Sequence, residues 1–427
     1  MLSIRLVHAC LASALLLQLS GCGGGGGGGG EEGPVGGEQA GPVTVIGGTF
    51  VSTDGTTPLG KALVYVEGGA SRDGTAPAAV ACGAPPDASW PATCTADDGS
   101  FSFEVQVPAG ANLVLQRNGF VHRTAVAAGQ GNVALGTVRL DPASAGAAIA
   151  VVLGNDTMHQ LLARIGMGTV NTVGQLVYGT ETFKVYDSEN GQDSVQALRQ
   201  YPNWDQLFTD RDGNGRADLF DRAVLVFNAG LYDSLRADPV RMQMLRDYVQ
   251  QGGRLITGGA GFYLIEDLWP EYLDWAGVDA PEGVPERPLS VRSESYSTPV
   301  FGQADSDFAT WLTGRTCTRY LATIETGSCF DMPSDSMFVV DAISTEVLPN
   351  AYARLLGPHA QVAPLVRPLV TGYIDVAGTF VRTHPLAVVM TVGAGRVAYT
   401  TFQIEPSAQV SGITPHERMF QYLVFEM

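Results

Sequence analysis

The chain has 427 residues, 45% of them hydrophobic, with 43 acidic and 25 basic side chains and a formal net charge of −18. That balance excludes a general nucleic-acid binder, which needs a basic stripe, and it suits solubility and the attraction of cations. At about 100–200 residues per domain, the length allows two or three domains with full cores.

Arg5, an apolar run over 11–17 and then Leu19-Ser20-Gly21-Cys22 open the chain. This start resembles a bacterial lipoprotein signal with its lipobox. The resemblance implies cleavage before Cys22 and lipidation of its thiol, an anchor to the membrane that needs no spanning helix. Gly23 follows where an aspartate marks inner-membrane retention, so the resemblance implies an outer-membrane lipoprotein facing the periplasm or the cell surface. Residues 22–42 begin with a run of glycines and cannot bury a core; they read as a flexible tether.

Residues 43–141 alternate apolar and polar side chains, as in 62–66 and 101–107, which predicts half-buried strands. Asp54-Gly55, Asp98-Gly99 and Pro108-Ala109-Gly110 mark turns, and the sum is a small all-β sandwich. Pro58-Leu59-Gly60-Lys61-Ala62-Leu63-Val64, Thr95 to Phe103, Val107 to Gly110 and Gly119-Phe120 resemble a carboxypeptidase regulatory-like, prealbumin-like domain. Such domains serve as spacers or adhesive modules, so the resemblance brings no catalytic residue. It departs from that pattern in a long insert over 68–94. His122, on an alternating run, is read as a surface residue.

Of six cysteines, Cys10 leaves with the leader and Cys22 carries the anchor. Export oxidises the remainder, and local spacing favours Cys82 with Cys94 and Cys317 with Cys329, with the other connectivities open.

After a small-residue linker over 142–147, residues 148–427 change to buried apolar runs at 149–154, 223–228 and 254–258, each ending in Gly or Asn. These predict central strands of a parallel sheet. Between the last two lies a helix, capped by Asp238, opened by Pro239, with Met242, Leu245, Tyr248 and Val249 as its apolar face and Gly252-Gly253 as its end. Right-handed crossovers then give a doubly wound α/β fold of flavodoxin-like or amidotransferase-like type, with any ligand cleft at the carboxyl ends of the strands.

Within it, residues 210–221 carry oxygen donors at calcium-loop spacing. Asp210, Asp212, Asn214, Asp218 and Asp221 stand at the side-chain positions, and the Arg216 carbonyl takes the seventh. Gly215 falls at the sharp turn, and Asp221 is a shorter arm than the usual glutamate. The stretch resembles isolated calcium loops of dockerin-like and thrombospondin-like proteins, which implies Ca²⁺ as a structural ion; the same residue types also make turns with no ion. Residues 281–345 form an irregular insert, read as a lid or accessory lobe. Residues 386–402 predict a hairpin, and a terminal helix follows with Thr414 as cap, Pro415 in its first turn and Glu417 completing a capping box. His416 is a solvated residue of that first turn.

Phe220 to Gly230, Tyr248 to Arg254, the turn Gly258-Gly259-Ala260-Gly261-Phe262 and Gly395 to Phe402 resemble the class I glutamine amidotransferase-like fold, including ThuA-like proteins. Active members hold a cysteine nucleophile in that turn and a His-x-Glu pair after a late strand. Here Ala260 takes the nucleophile position and Gln403-Ile404-Glu405 the other, so the resemblance implies a degenerate site. Together these features describe an anchored, calcium-stabilised lipoprotein for binding or surface architecture, with a catalytically silent amidotransferase-like part and an unknown surface ligand or protein partner. The alternatives are a hydrolase or carbohydrate-active enzyme built on Asp156, His159, Glu266 and His384, and a calcium-dependent adhesin.

Overall fold

The structure is a computed structural model; it describes residues 43–401 and 412–427 except 72–79, 130, 155–156, 188–200, 229, 231, 276, 279–284, 286, 289–299, 321–323, 330–336, 341–354 and 377–378. Cys22, the tether, Asp156, Gln403 and Glu405 lie outside the described residues. Among the described residues no helix is long and apolar enough to cross a membrane.

Seven strands form the sandwich: β1 (Val43–Val51), β2 (Leu63–Val66), β3 (Ala92–Cys94), β4 (Ser100–Gln106), β5 (Asn112–Arg117), β6 (Phe120–Ala125) and β7 (Asn132–Arg139). One sheet runs β4-β1-β7 and the other β3-β2-β5-β6. Period-two burial holds along β7, whose inward and outward residues alternate over most of its length. It fails in β2, which is buried at every position. There the insert folds over the outer face of the sheet: Trp90 stacks on Tyr65 at 5.8 Å, and Val80, Cys82 and Ala92 pack with Leu63, Tyr65 and Val114. The Cys82–Cys94 disulfide pins this cover to β3.

The expected linker is instead a short helix, α1 (Pro142–Ala147), whose cap Asp141 accepts from the Ser144 amide. The chain then builds β8 (Ile149–Val152), α2 (Met158–Leu162), β9 (Lys184–Tyr186), β10 (Val224–Phe227), α3 (Asp233–Arg236), α4 (Pro239–Gln250), β11 (Arg254–Gly258) and α5 (Phe262–Leu268). Two small ladders follow, in which β12 (Leu273–Trp275) pairs with β19 (Leu355–Pro358), and β13 (Gly277–Val278) with β14 (Arg287–Pro288). The remaining elements are β15 (Val300–Ala304), α6 (Ser306–Leu312), the hairpin β16 (Thr316–Tyr320) and β17 (Ile324–Ser328), β18 (Met337–Val340), β20 (Val366–Val376), β21 (Thr379–Val392), β22 (Gly395–Thr400) and α7 (Pro415–Phe425).

One nine-stranded sheet organises this part, in the order β18-β15-β20-β21-β22-β11-β10-β8-β9. From β22 to β9 every pairing is parallel; from β22 to β18 every pairing is antiparallel. The insert expected as a lid therefore differs: its β15 and β18 extend the main sheet, and the Cys317–Cys329 disulfide clasps its hairpin. Apolar hairpin periodicity cannot tell which edge a strand will join, because pairing partners here are distant in sequence.

The sandwich and the α/β part form one compact unit over Gly41–Met427. Phe120 of β6 meets Phe425 of α7 at 5.3 Å, Arg117 pairs with Glu426 at 2.7 Å, and Gln421 donates to Asp54 at 2.9 Å. Arg254, buried at the start of β11, donates to the carbonyls of Asn118, Val424 and Met427, and so ties the sandwich to the end of α7. A guanidinium at a helix carboxyl end also answers the dipole there. Burial pushes its pKa down to about 10, which leaves it charged at neutral pH.

Candidate functional site

The acidic loop folds around its first residue. The Asp210 carboxylate accepts from the backbone amides of Gly213, Asn214 and Gly215, which curls the chain back on itself. Gly215 sits at φ +86°, where a side chain is strained and glycine is not. A 3-10 turn, Asp218–Asp221, then brings the last two carboxylates round. Oxygens of Asp212, Asp218 and Asp221 lie within 4.8 Å of one another. Asp218 is buried, fixed by the Arg211 amide at 3.1 Å, while Asp212 and Asp221 are exposed.

Asn214 stands among these carboxylates. Its Nδ2 donates to Asp212 at 3.1 Å and to Asp221 at 2.9 Å, so one partial positive group bridges two negative ones. A hard cation would answer the same charges more strongly, and rotation of the Asn214 amide, at the loss of the bond its oxygen accepts from the Arg216 amide at 2.9 Å, would turn that oxygen to the ion. Asp212, Asp218 and Asp221 thus fit a Ca²⁺ site, with Asn214 and the Arg216 carbonyl on the same loop. Asp210 is engaged as the loop's organiser. The donor set is all oxygen, which suits a hard ion and not zinc.

At the end of β11 the backbone turns sharply through Gly259-Ala260-Gly261 into α5. The left-handed residue of this turn is Gly259, at φ +50°, one position before Ala260. Neither residue carries a group that attacks or takes a proton. Ala260 is buried, the Gly259 carbonyl accepts from the Tyr399 hydroxyl at 3.0 Å, and a Cβ on Gly261 would collide with Thr257.

The strand order reverses between β8 and β10, because β9 lies on one side of β8 and β10 on the other. In an open α/β sheet that reversal leaves a crevice at the carboxyl ends of the strands. His159 of α2 lies there, buried, with Nδ1 3.0 Å from the Asn228 amide nitrogen and Nε2 3.0 Å from the Tyr178 hydroxyl. Asn228 follows β10 directly, and its amide nitrogen can only donate, so Nδ1 accepts and Nε2 holds the proton. Burial pushes the imidazole pKa down to about 4, so it is neutral at pH 7. Tyr178 in turn packs on Tyr201, whose hydroxyl donates to Glu181 at 2.6 Å.

Glu266 is buried in α5, and His384 lies in β21 opposite Gly372, past the carboxyl end of β22. Four strand spacings separate β8 from β21, about 19 Å across the sheet. His159 and His384 therefore do not serve one reacting atom, and both nitrogens of His159 are already engaged. His122 is half-buried, with Nδ1 accepting from the Asp141 amide at 3.3 Å, and not the surface residue expected. The partners of His159 were not apparent in the sequence: Asn228 could be read as a strand end, while Tyr178 lies in an irregular segment with no periodicity to mark it.

No protein-family model and no curated protein matches the chain. Among solved structures it is similar to a putative ThuA-like protein from Bacteroides uniformis, with 11% identity, 65% of this chain and 88% of that one covered, and a TM-score of 0.29. A cytoplasmic protein from Salmonella typhimurium matches at 12% identity over 64% of this chain and 98% of that one, with a TM-score of 0.31. A cold-adapted β-galactosidase from Rahnella sp. R3 matches at 16% identity over 65% of this chain, with a TM-score of 0.28. This chain spans 30% of the length of that β-galactosidase.

Proposed function

We propose that the chain is a membrane-anchored, calcium-stabilised lipoprotein for binding or surface architecture, whose α/β part is catalytically silent. One observation carries the silent reading: the turn after β11 offers Gly259 and Ala260 where a nucleophile would stand. Loss of a nucleophile typically costs several orders of magnitude in rate. The neutral His159, held between an amide and a phenol, supports a positioning role at the strand ends, with Tyr178 and Tyr201 as flat neighbours.

The test is a glutaminase, amidase and glycosidase screen on the purified chain, with Ala260→Ser, His159→Gln and Glu266→Gln beside the wild type. No turnover above buffer is expected from any of them. Wild-type turnover that disappears with His159→Gln or Glu266→Gln would place an active site at this edge and overturn the proposal.

A further inference from the structure

We propose that Trp311 and Arg315 form a binding site for a small carboxylate, apart from the acidic loop and from the crevice at β8 and β10. After α6 the chain turns at Gly314, φ +77°, and Arg315 folds back so that its guanidinium carbon lies 3.8 Å from the centre of the Trp311 ring. Trp311 is held from behind by Phe308 and by Tyr422 of α7, with ring centres 6.1 and 5.4 Å away. Its orientation is therefore set by the core and not by Arg315.

The indole Nε1 and the guanidinium Nε are both buried, and no acceptor among the described residues meets either. Neighbouring arginines are engaged. Arg418 donates to the Thr316 carbonyl and to Gln421 and lies 3.9 Å from Asp54, and Arg367 pairs with Asp305 and Asp307. Arg315 forms no ion pair with a carboxylate among the described residues. A part-buried cation with an unmatched donor is costly unless something answers it.

The donor set specifies what answers it. Indole nitrogen and guanidinium only donate, so the partner must accept, and a charged acceptor gains most from a cation. The indole covers one face of the guanidinium, which leaves its in-plane edge to meet two oxygens side by side. Arg418, Glu426 and Asp54 all act on Arg315 through space, so the charges around it nearly balance, and the chain carries a net charge of −18. A singly charged carboxylate is therefore favoured over a phosphate dianion. Thr313, Gly314 and Thr316 are exposed around this corner, so the guanidinium lies at the surface of the fold although its Nε is covered.

Nitrogen-labelled tryptophan tests the site, because each of the 5 tryptophans contributes one indole N–H resonance and Trp311→Phe identifies the relevant one. Sodium acetate is titrated into the chain at constant ionic strength, against sodium chloride and sodium phosphate. The Trp311 resonance is expected to move saturably with acetate and not with chloride. Arg315→Gln should abolish the movement, and Arg315→Lys, which keeps the charge and loses the fork, should weaken binding about tenfold. A resonance that stays still, that moves equally in chloride, or that still responds in Arg315→Gln overturns the site. An equal response to phosphate overturns the carboxylate assignment. If Arg315→Gln does not fold, the lysine variant decides, and an affinity equal to wild type counts against the proposal.

Discussion

His159 makes a pH dependence that belongs to one side chain. The unfolded chain protonates it near 6.5 and the folded chain only near about 4, because burial disfavours the imidazolium. The unfolded state therefore takes up the proton first as pH falls. The stability held by neutral His159 is full above 6.5 and lost as pH drops toward about 4, by on the order of 3 kcal/mol. Urea unfolding of wild type and His159→Gln through this window checks it: the variant should show the shallower loss. His122, also lowered by burial, contributes the same slope to both proteins and cancels in the comparison. Equal slopes would mean that His159 is solvated. At the same scale, Asp54 is pushed up by burial, but hydrogen bonds from Thr57, Thr56 and Ser52 outweigh that and bring it down to about 2. The stability held by ionised Asp54, which accepts from Gln421, is thus lost as pH falls from 3.8 toward about 2, directly below the His159 window.

Elements that satisfy themselves locally were legible in the sequence; elements decided by distant partners were not. The helix α4 follows from Asp238, Pro239 and a regular apolar face, and α7 from a capping box that Thr414 and Glu417 complete. The acidic loop follows from spacing alone, although Asp210's role as organiser required the backbone path. The covering of β2 and the recruitment of β15 and β18 depend on residues far along the chain, and no local period encodes them. In the crevice, His159 was visible as a candidate, but its engagement by Asn228 and Tyr178 was not. The insert over β2 yields a direct test. Trp90→Ala removes the ring stacked on Tyr65 and opens the outer face over Leu63 and Val114, which should cost about 2 kcal/mol, less than the full burial of a tryptophan because Trp90 is only part-buried. A lower denaturant midpoint with new binding of an apolar dye is expected. A variant as stable as wild type would show that the insert does not cover the sheet in solution.

As a whole, the sandwich and the α/β part are tied by Arg254, Asp54, Arg117 and the aromatic contact between Phe120 and Phe425, so they should unfold as one body. The acidic loop precedes β10, the strand at the centre of the parallel half, and Asp218 accepts from the Tyr186 hydroxyl of β9 at 3.4 Å. An ion bound to the loop would therefore stabilise the entire unit and not a detached turn. Thermal unfolding of the full chain in calcium and in chelator measures this most directly. On the proposed surface location, affinity of about 10⁻⁴ to 10⁻³ M is expected, and calcium at about 100 times the dissociation constant should add about 2.7 kcal/mol. A single transition is expected, which calcium moves upward and which Asp212→Ala leaves insensitive to calcium. A transition that calcium does not move, or one that splits so that only part of the chain responds, would contradict it.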